Sequence, residues 1–390
     1  MKKAVNNLWA DVPSPCYVVS EEALLRNLAV IDRVREESGA EVIVALKASA
    51  MWSIFDLLAA HSDGATASSL AEAELVREKF GAGGALSHTY APIYDPQEVE
   101  RIVELSSHIT FNSLSQYERF GALASQSGVS CGLRVNIGYS PVETDLYNPC
   151  VAGSRLGIAP AELSQLPEGV EGLHFHVLCE SRPHHLRLAL EALERNFGDM
   201  LPQLKWLNMG GGHLMTHEEY DCDELIALLK EFGAKYPHLR LILEPGSAFT
   251  WRTGELVTTV EDVVQSGGVT TAMINASFAC HMPDCLEMPY KPTIVGACDP
   301  HDDGAEESKW RVGGNSCLAG DYIGDWVFED GRAMPEIGER IVFEDMIHYT
   351  MVKTTMFNGV SHPSIAIRRV DGTLDVVRRF GYEDYKNRMS

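Results

Sequence analysis

From Glu41 to Pro245 the chain repeats one pattern eight times: a short run of strand character, then a longer stretch of helical periodicity. The eight runs are EVIVALK (41–47), GATAS (64–68), ALSHTYA (85–91), HITFN (108–112), CGLRVNI (131–137), GLHFHVL (172–178), KWLNMG (205–210) and RLILEP (240–245). Between them, segments such as SLAEAELVREKFG and HLRLALEALERNFG place apolar residues at i, i+3, i+4 and i+7 and close on glycine. That spacing and stop signal belong to amphipathic helices. Eight such alternations are what an α/β (β/α)8 TIM barrel requires. The competitor is an open, doubly wound sheet, whose dinucleotide-binding form is weakened because no Gly-x-Gly-x-x-Gly fingerprint follows the first run.

After Thr250 the rhythm changes. ELVTTVEDVVQ, TTAMINA, TIVGACD, RIVFEDM and PSIAIRRV are β-rich, with few helical stretches between them. They predict a second, β-sandwich or β-barrel-like domain, joined by the early strand CYVVS (16–20). A chain of 390 residues exceeds one ordinary core. The expected division is a barrel over 22–250 and a β-domain of 1–21 plus 251–390. The acidic stretch CDPHDDGAEESKW (298–310) reads as a solvated loop.

Lys and Arg number 32 against 55 Asp and Glu, a formal charge of −23. Such a surface disfavours nucleic acid and anionic membranes, which are bound through basic patches. It would attract a cationic ligand, although it serves solubility equally well. Nine cysteines without a CxxC pair argue against a disulfide framework and a structural zinc site, and no metal is expected. No apolar run approaches a membrane span, and no apolar run follows the two N-terminal lysines, so a cytoplasmic location is expected.

Lys47 stands at the end of an apolar strand, the end from which catalytic side chains project in such barrels. Partial desolvation there lowers an amine's pKa and frees it to attack carbonyl compounds, although a strand-end lysine also reaches solvent by its stem. The seventh and eighth runs lead into NMGGGH (Gly210, Gly211, Gly212) and LEPGSA (Glu244, Pro245, Gly246, Ser247). Loops at these two places form phosphate sites in many barrels, although GGG also makes a tight turn. Glu244 ends the apolar run RLILE and needs a partner, either an internal cation or a ligand's ring nitrogen. His174 and His176 share a strand face without an obvious third metal ligand, and satisfied core histidines explain them as well. Cys317 lies in the glycine-rich GGNSCLAGD, as a proton donor or an ordinary cysteine; Tyr349 follows near a strand end.

With these pieces in order, the chain resembles the fold type III, alanine-racemase-like pyridoxal-phosphate (PLP) decarboxylases, and among them the carboxynorspermidine/carboxyspermidine decarboxylases. The resemblance is carried by ALKA (45–48), SRLG (154–157), HFHVLCE (174–180), NMGGGH (208–213), LEPGSA (243–248), SCLAGD (316–321), YTMVK (349–353), FNG (357–359) and FGYED (380–384). It implies PLP held by Lys47 as a Schiff base, with His176 on the ring, Gly210–Gly212, Gly246 and Tyr349 around the phosphate, Glu244 on the ring nitrogen and Cys317 as proton donor. It also implies a homodimer with active sites shared across the interface, and a small cationic amino-acid or polyamine substrate. Asp321, Glu180 and Asp284 are candidates for its amines and Arg155 for its carboxylate.

Two departures lower the ornithine and diaminopimelate readings: Ser247 follows EPG where those enzymes carry arginine, and Leu318 follows the cysteine where diaminopimelate enzymes carry an acid. The rivals are another basic amino-acid decarboxylase, a racemase on the same fold, and a non-catalytic polyamine-binding relative.

Overall fold

The structure is a computed structural model that describes residues 8–81, 86–301 and 308–390. Ala85 of the third run and residues 302–307 of the acidic stretch lie outside the described residues. Contacts divide the chain into two compact units, Arg26–Phe249 and Met1–Leu25 with Thr250–Ser390.

All eight runs become strands of one parallel barrel. After β1 (Cys16–Ser20) they are β2 (Glu41–Ala45), β3 (Gly64–Ala67), β4 (Leu86–Tyr90), β5 (His108–Phe111), β6 (Ser130–Arg134), β7 (Val170–His174), β8 (Trp206–Asn208) and β9 (Arg240–Leu243). Pairing of β2 with β9, Glu41 against Ile242 and Val42 against Leu243, closes the ring and excludes the open sheet. Side chains at the start of the intervening helices cap them: Ser69 accepts from Glu72 N–H, Ser113 from Gln116 and Asp221 from Glu224.

The barrel interior is filled at its amino-terminal end. Trp206, 1% exposed, lies where a Cβ at Gly172 would meet its Cε2 at 2.0 Å and one at Gly132 its Cη2 at 2.2 Å. Two neighbouring strands therefore carry glycine so that one indole can cross the lumen. Its Nε1–H donates to Ser130 Oγ at 2.9 Å, and its edge meets the stacked rings of His88 and His108, whose centroids are 4.2 Å apart. Burying one such indole contributes on the order of 4–6 kcal/mol of gross hydrophobic free energy.

Among the described residues the second unit is built on a mixed nine-stranded sheet. Added to β1 are β10 (Gly254–Ser266), β11 (Val269–Ile274), β12 (Ala297–Cys298), β13 (Trp310–Gly313), β14 (Tyr322–Phe328), β15 (Arg340–Phe343), β16 (Ser364–Arg368) and β17 (Leu374–Arg378), in the order β12-β14-β13-β11-β10-β1-β16-β17 with β15 also on β10. The first half of β10 is flanked by both β1 and β15. Past an irregularity between Val260 and Asp262 its second half pairs with β11, so one long strand changes partners at a bulge. Cys16, Val18, Val257, Val342 and Ala366 pack as a buried cluster of this unit.

The acidic excess leaves a mark here. Burial, then the neighbouring Glu344 and Asp345, push the Glu255 carboxyl up to about 7. The folded chain thus holds a proton where an unfolded glutamic acid (about 4.3) has lost it. The stabilisation is fully present below the unfolded value and is lost as pH rises through about 7. Glu255→Gln should therefore raise the melting temperature at pH 8.5, by on the order of 2 kcal/mol of stability, and change little at pH 4. An equal effect at both pH values, read by calorimetry, would rule this out. Among the described residues no helix is long and apolar enough to cross a membrane.

Candidate active site

Polar side chains gather at the carboxy-terminal ends of the barrel strands. Lys47 sits two residues past β2, in a turn closed by Ala48 N–H to Ala45 C=O at 3.1 Å. Ala45 N–H itself donates to Pro245 C=O at 3.1 Å, tying this turn to the one after β9. Glu244 is the first residue past β9, His174 ends β7 and Asn208 ends β8. Of the residues expected from sequence, the barrel brings together Lys47, His176, Gly210–Gly212, Glu244 and Gly246.

Their contacts form one network. Lys47 Nζ lies 3.4 Å from His176 Nε2. His176 Nδ1 accepts from Gly211 N–H at 2.9 Å and lies 3.7 Å from Glu244 Oε1. Accepting at Nδ1 leaves the proton of a neutral imidazole on Nε2. His174 Nε2 lies 3.1 Å from Glu244 Oε1, and Asn208 Nδ2 donates to Glu244 Oε2 at 3.0 Å. Donor atoms of His174, His176 and Glu244 lie within 4.8 Å of one another, so these histidines do have a third group of metal-ligand type. The glutamate comes from a different strand, 68 residues beyond His176, so spacing along β7 gave no sign of it.

Lys47 is exposed to solvent, yet the protein packed around its amine desolvates it. That desolvation, opposed by Glu244 and aided by Arg134, lowers its pKa. Burial first, then Lys47, lowers His176 to about 3; burial likewise lowers His174. Burial alone would raise Glu244, but the pull of His174, 3.1 Å away, and of the nearby His176 holds it well below the usual carboxylate range. The resulting state is one buried carboxylate among neutral imidazoles, beside an amine that deprotonates more easily than usual.

The glycine loop is a cradle with no room for side chains. Gly210 and Gly212 have φ of +72° and +87°, a region that glycine enters freely. A Cβ at Gly212 would meet Leu178 O at 2.2 Å, at Gly211 Glu244 O at 2.6 Å, and at Gly246 Ala48 Cβ at 2.4 Å. One expectation needs correcting. Gly210 N–H already donates to Asn208 Oδ1 at 2.8 Å and Gly211 N–H to His176. These two amides orient site residues, so the case for an anion cradle rests on Gly212 and Gly246.

The remaining candidates divide by unit. In the barrel unit Arg155 and Glu180 are exposed, Glu180 with a φ of +45°. Arg155 C=O accepts from Asn112 Nδ2 at 2.8 Å, which anchors the SRLG turn. In the sheet unit Cys317 is exposed. Asp321, 5% exposed, accepts from Ala279 N–H and Ser316 N–H at 3.0 Å each. Asp284 is paired with Lys353 at 2.8 Å. Both carboxylates thus have partners inside their own unit, which weighs against the substrate-amine role expected for them. Tyr349 opens the short helix Tyr349–Val352 rather than ending a strand.

Sequence reading missed Arg134. It ends β6, is 6% exposed, packs its guanidinium 4.6 Å from the Tyr90 ring centre and donates to His176 C=O at 3.3 Å. The signal existed: a charged residue closing an apolar strand, much as Lys47 follows one.

These residues fit pyridoxal phosphate. They offer an amine of lowered pKa, a buried ionised carboxylate for a pyridinium nitrogen, a neutral imidazole between them and a glycine cradle for an anion. The model of pyridoxal-dependent decarboxylases, C-terminal sheet domain, matches residues 16–347. A Synechocystis protein named carboxyaminopropylagmatine decarboxylase is 50% identical over 385 residues, covering 98% of this chain and 97% of its own. A Campylobacter jejuni carboxynorspermidine/carboxyspermidine decarboxylase is 37% identical over 389 residues, covering 97% and 99%. The crystal structure of carboxynorspermidine decarboxylase complexed with norspermidine, from C. jejuni, superposes with a TM-score of 0.87 at 36% identity, covering 97% of this chain and 100% of that one. Pattern, fold, site and relatives agree: this chain belongs to the pyridoxal-dependent decarboxylases, alongside the carboxynorspermidine/carboxyspermidine decarboxylases.

Proposed function

We propose that the chain decarboxylates carboxynorspermidine or carboxyspermidine, giving norspermidine or spermidine and carbon dioxide, with the barrel as the cofactor domain. The observation that carries this is the Lys47–His176–Glu244 network at the strand ends, in a chain that shares over a third of its residues with such an enzyme along nearly its whole length.

Pyridoxal phosphate, when bound, supplies an aldehyde that condenses with amines and a protonated ring that draws electrons from the carbon losing its carboxylate. Lys47 Nζ would hold the aldehyde, and its lowered pKa favours the free amine that this needs. Glu244 would accept the ring N–H, kept ionised by His174 while Asn208 donates to its other oxygen. His176, neutral and oriented by Gly211 N–H, would lie against the ring face. Gly212, Gly246 and Tyr349 would hold the phosphate, with Gly210 and Gly211 shaping the loop. The Cys317 thiol would return a proton to the α-carbon. Arg155 and Glu180 are the remaining exposed candidates for the substrate's carboxylate and amines. A homodimer is part of this reading: Leu318, Tyr322 and Phe357, 46%, 45% and 49% exposed, are apolar surface around Cys317 that a second subunit would cover. So is a cytoplasmic location.

A second reading is favoured by the 50% identical relative: carboxyaminopropylagmatine as substrate. It differs at the far end, where agmatine presents a guanidinium that prefers a planar, two-pronged carboxylate contact. A carbon dioxide release panel of carboxynorspermidine, carboxyspermidine, carboxyaminopropylagmatine, diaminopimelate, ornithine and arginine decides. The highest kcat/KM should fall on one of the first two. A lead by the third would establish the second reading, and a lead by any of the last three would overturn both.

A further inference from the structure

We propose that Asn358 and Asp321 clamp the Cys317 loop and fix the Cα–Cβ bond that carries its thiol, which makes Asn358 a positioning residue for proton return. The proposal deepens the reading of Cys317 as proton donor and rests on it. Two successive backbone amides of this loop are held by side-chain oxygens from different parts of the sheet unit. Ser316 N–H donates to Asp321 Oδ2 at 3.0 Å, and Cys317 N–H to Asn358 Oδ1 at 2.8 Å.

Asp321 is built in from below. Its other oxygen accepts Ala279 N–H at 3.0 Å, its backbone C=O accepts Gly314 N–H at 2.7 Å, and its N–H closes the turn onto Leu318 C=O at 3.0 Å. Gly314 leaves space for the carboxylate, since a Cβ there would meet Oδ2 at 2.4 Å. Asn358 reaches the loop from 41 residues away. Its φ of 59° and ψ of 9° place it in the left-handed region, which asparagine tolerates better than most residues. The FNG turn is held by Gly359 N–H to Met356 C=O at 3.0 Å and Val360 N–H to Phe357 C=O at 3.1 Å.

With residues 316 and 317 both fixed at the backbone, the Cα–Cβ vector of Cys317 is fixed, and only its χ1 rotation stays free. Asp321 alone would fix one side of that residue. The amide of Asn358 supplies the second point, on an exposed loop that would otherwise fluctuate.

Two substitutions separate backbone from side chain. Asn358→Gly keeps the left-handed turn and loses the acceptor; Asn358→Asp keeps both. In the first, kcat for carboxynorspermidine should fall about tenfold with KM within twofold, while the second stays within threefold of the parent. Hydrogen exchange of the peptide containing Cys317, measured on the chain without cofactor, should quicken at least tenfold in Asn358→Gly only. In a Cys317→Ala background, Asn358→Gly should cost nothing further, because it acts through the thiol. Unchanged kcat or unchanged exchange in Asn358→Gly, or fully additive losses, would overturn the clamp. Undiminished kcat in Cys317→Ala alone would overturn the thiol reading beneath it.

Discussion

Lys47→Ala should purify without the visible absorbance of bound pyridoxal phosphate and turn over at least about a thousandfold more slowly, on the order of 4 kcal/mol of lost transition-state stabilisation. The size follows from what Lys47 does for placement. An amine held beside the reacting carbon replaces a collision from solution, and such preorganisation is worth several kcal/mol. The parent amine is 3.4 Å from His176 Nε2 and has its pKa lowered by desolvation; alanine keeps neither the nucleophile nor the contact. The absorbance spectrum and kcat are read on the same preparation. A variant that keeps both colour and near-parental turnover would remove Lys47 from the centre of the chemistry.

Glu244→Gln should lower kcat by about 10²- to 10³-fold, roughly 3–4 kcal/mol, the usual cost of removing one preorganised charge contact. The shape is preserved and the charge is lost. In the parent that charge is held ionised in a buried place by His174, with Asn208 donating to its other oxygen. Glu244→Asp, with the charge one methylene further back, should recover part of the loss. A merely structural carboxylate would show its loss in melting temperature instead. So a Gln variant with parental kcat and a lowered melting temperature would exclude the electronic role.

Much of the barrel was legible because a buried parallel strand announces itself as an apolar run, and helices wrap it with a 3.6-residue period. All eight runs fall on strands, with ends that overshoot by three residues at 131–137 and four at 172–178, where strand-like residues continue past the strand's end. The sheet unit was harder. CYVVS and ELVTTVEDVVQ are buried or alternating and were readable. TIVGACD was less so: Ala297–Cys298 pairs with β14 while Ile294 only bridges Phe343, and Gly296 turns the chain between them at a φ of +75°. YIGDWVF and LDVVR carry charges and glycine on half-exposed strands and look like loop. In the site, Lys47, Glu244 and the glycines showed as chemistry out of place at strand ends. The metal-like grouping of Glu244 with two histidines, and the Asn358 contact, depend on residues 68 and 41 positions apart, which no local pattern encodes.

The indole wedged across the strands at Gly132 and Gly172, with the stacked imidazoles beside it, has a consequence for traffic. With that floor filled by the indole, incoming amino acid and departing polyamine would both pass the mouth at the strand ends where Lys47 stands. The amine product therefore obstructs the next substrate, and inhibition by it should be competitive.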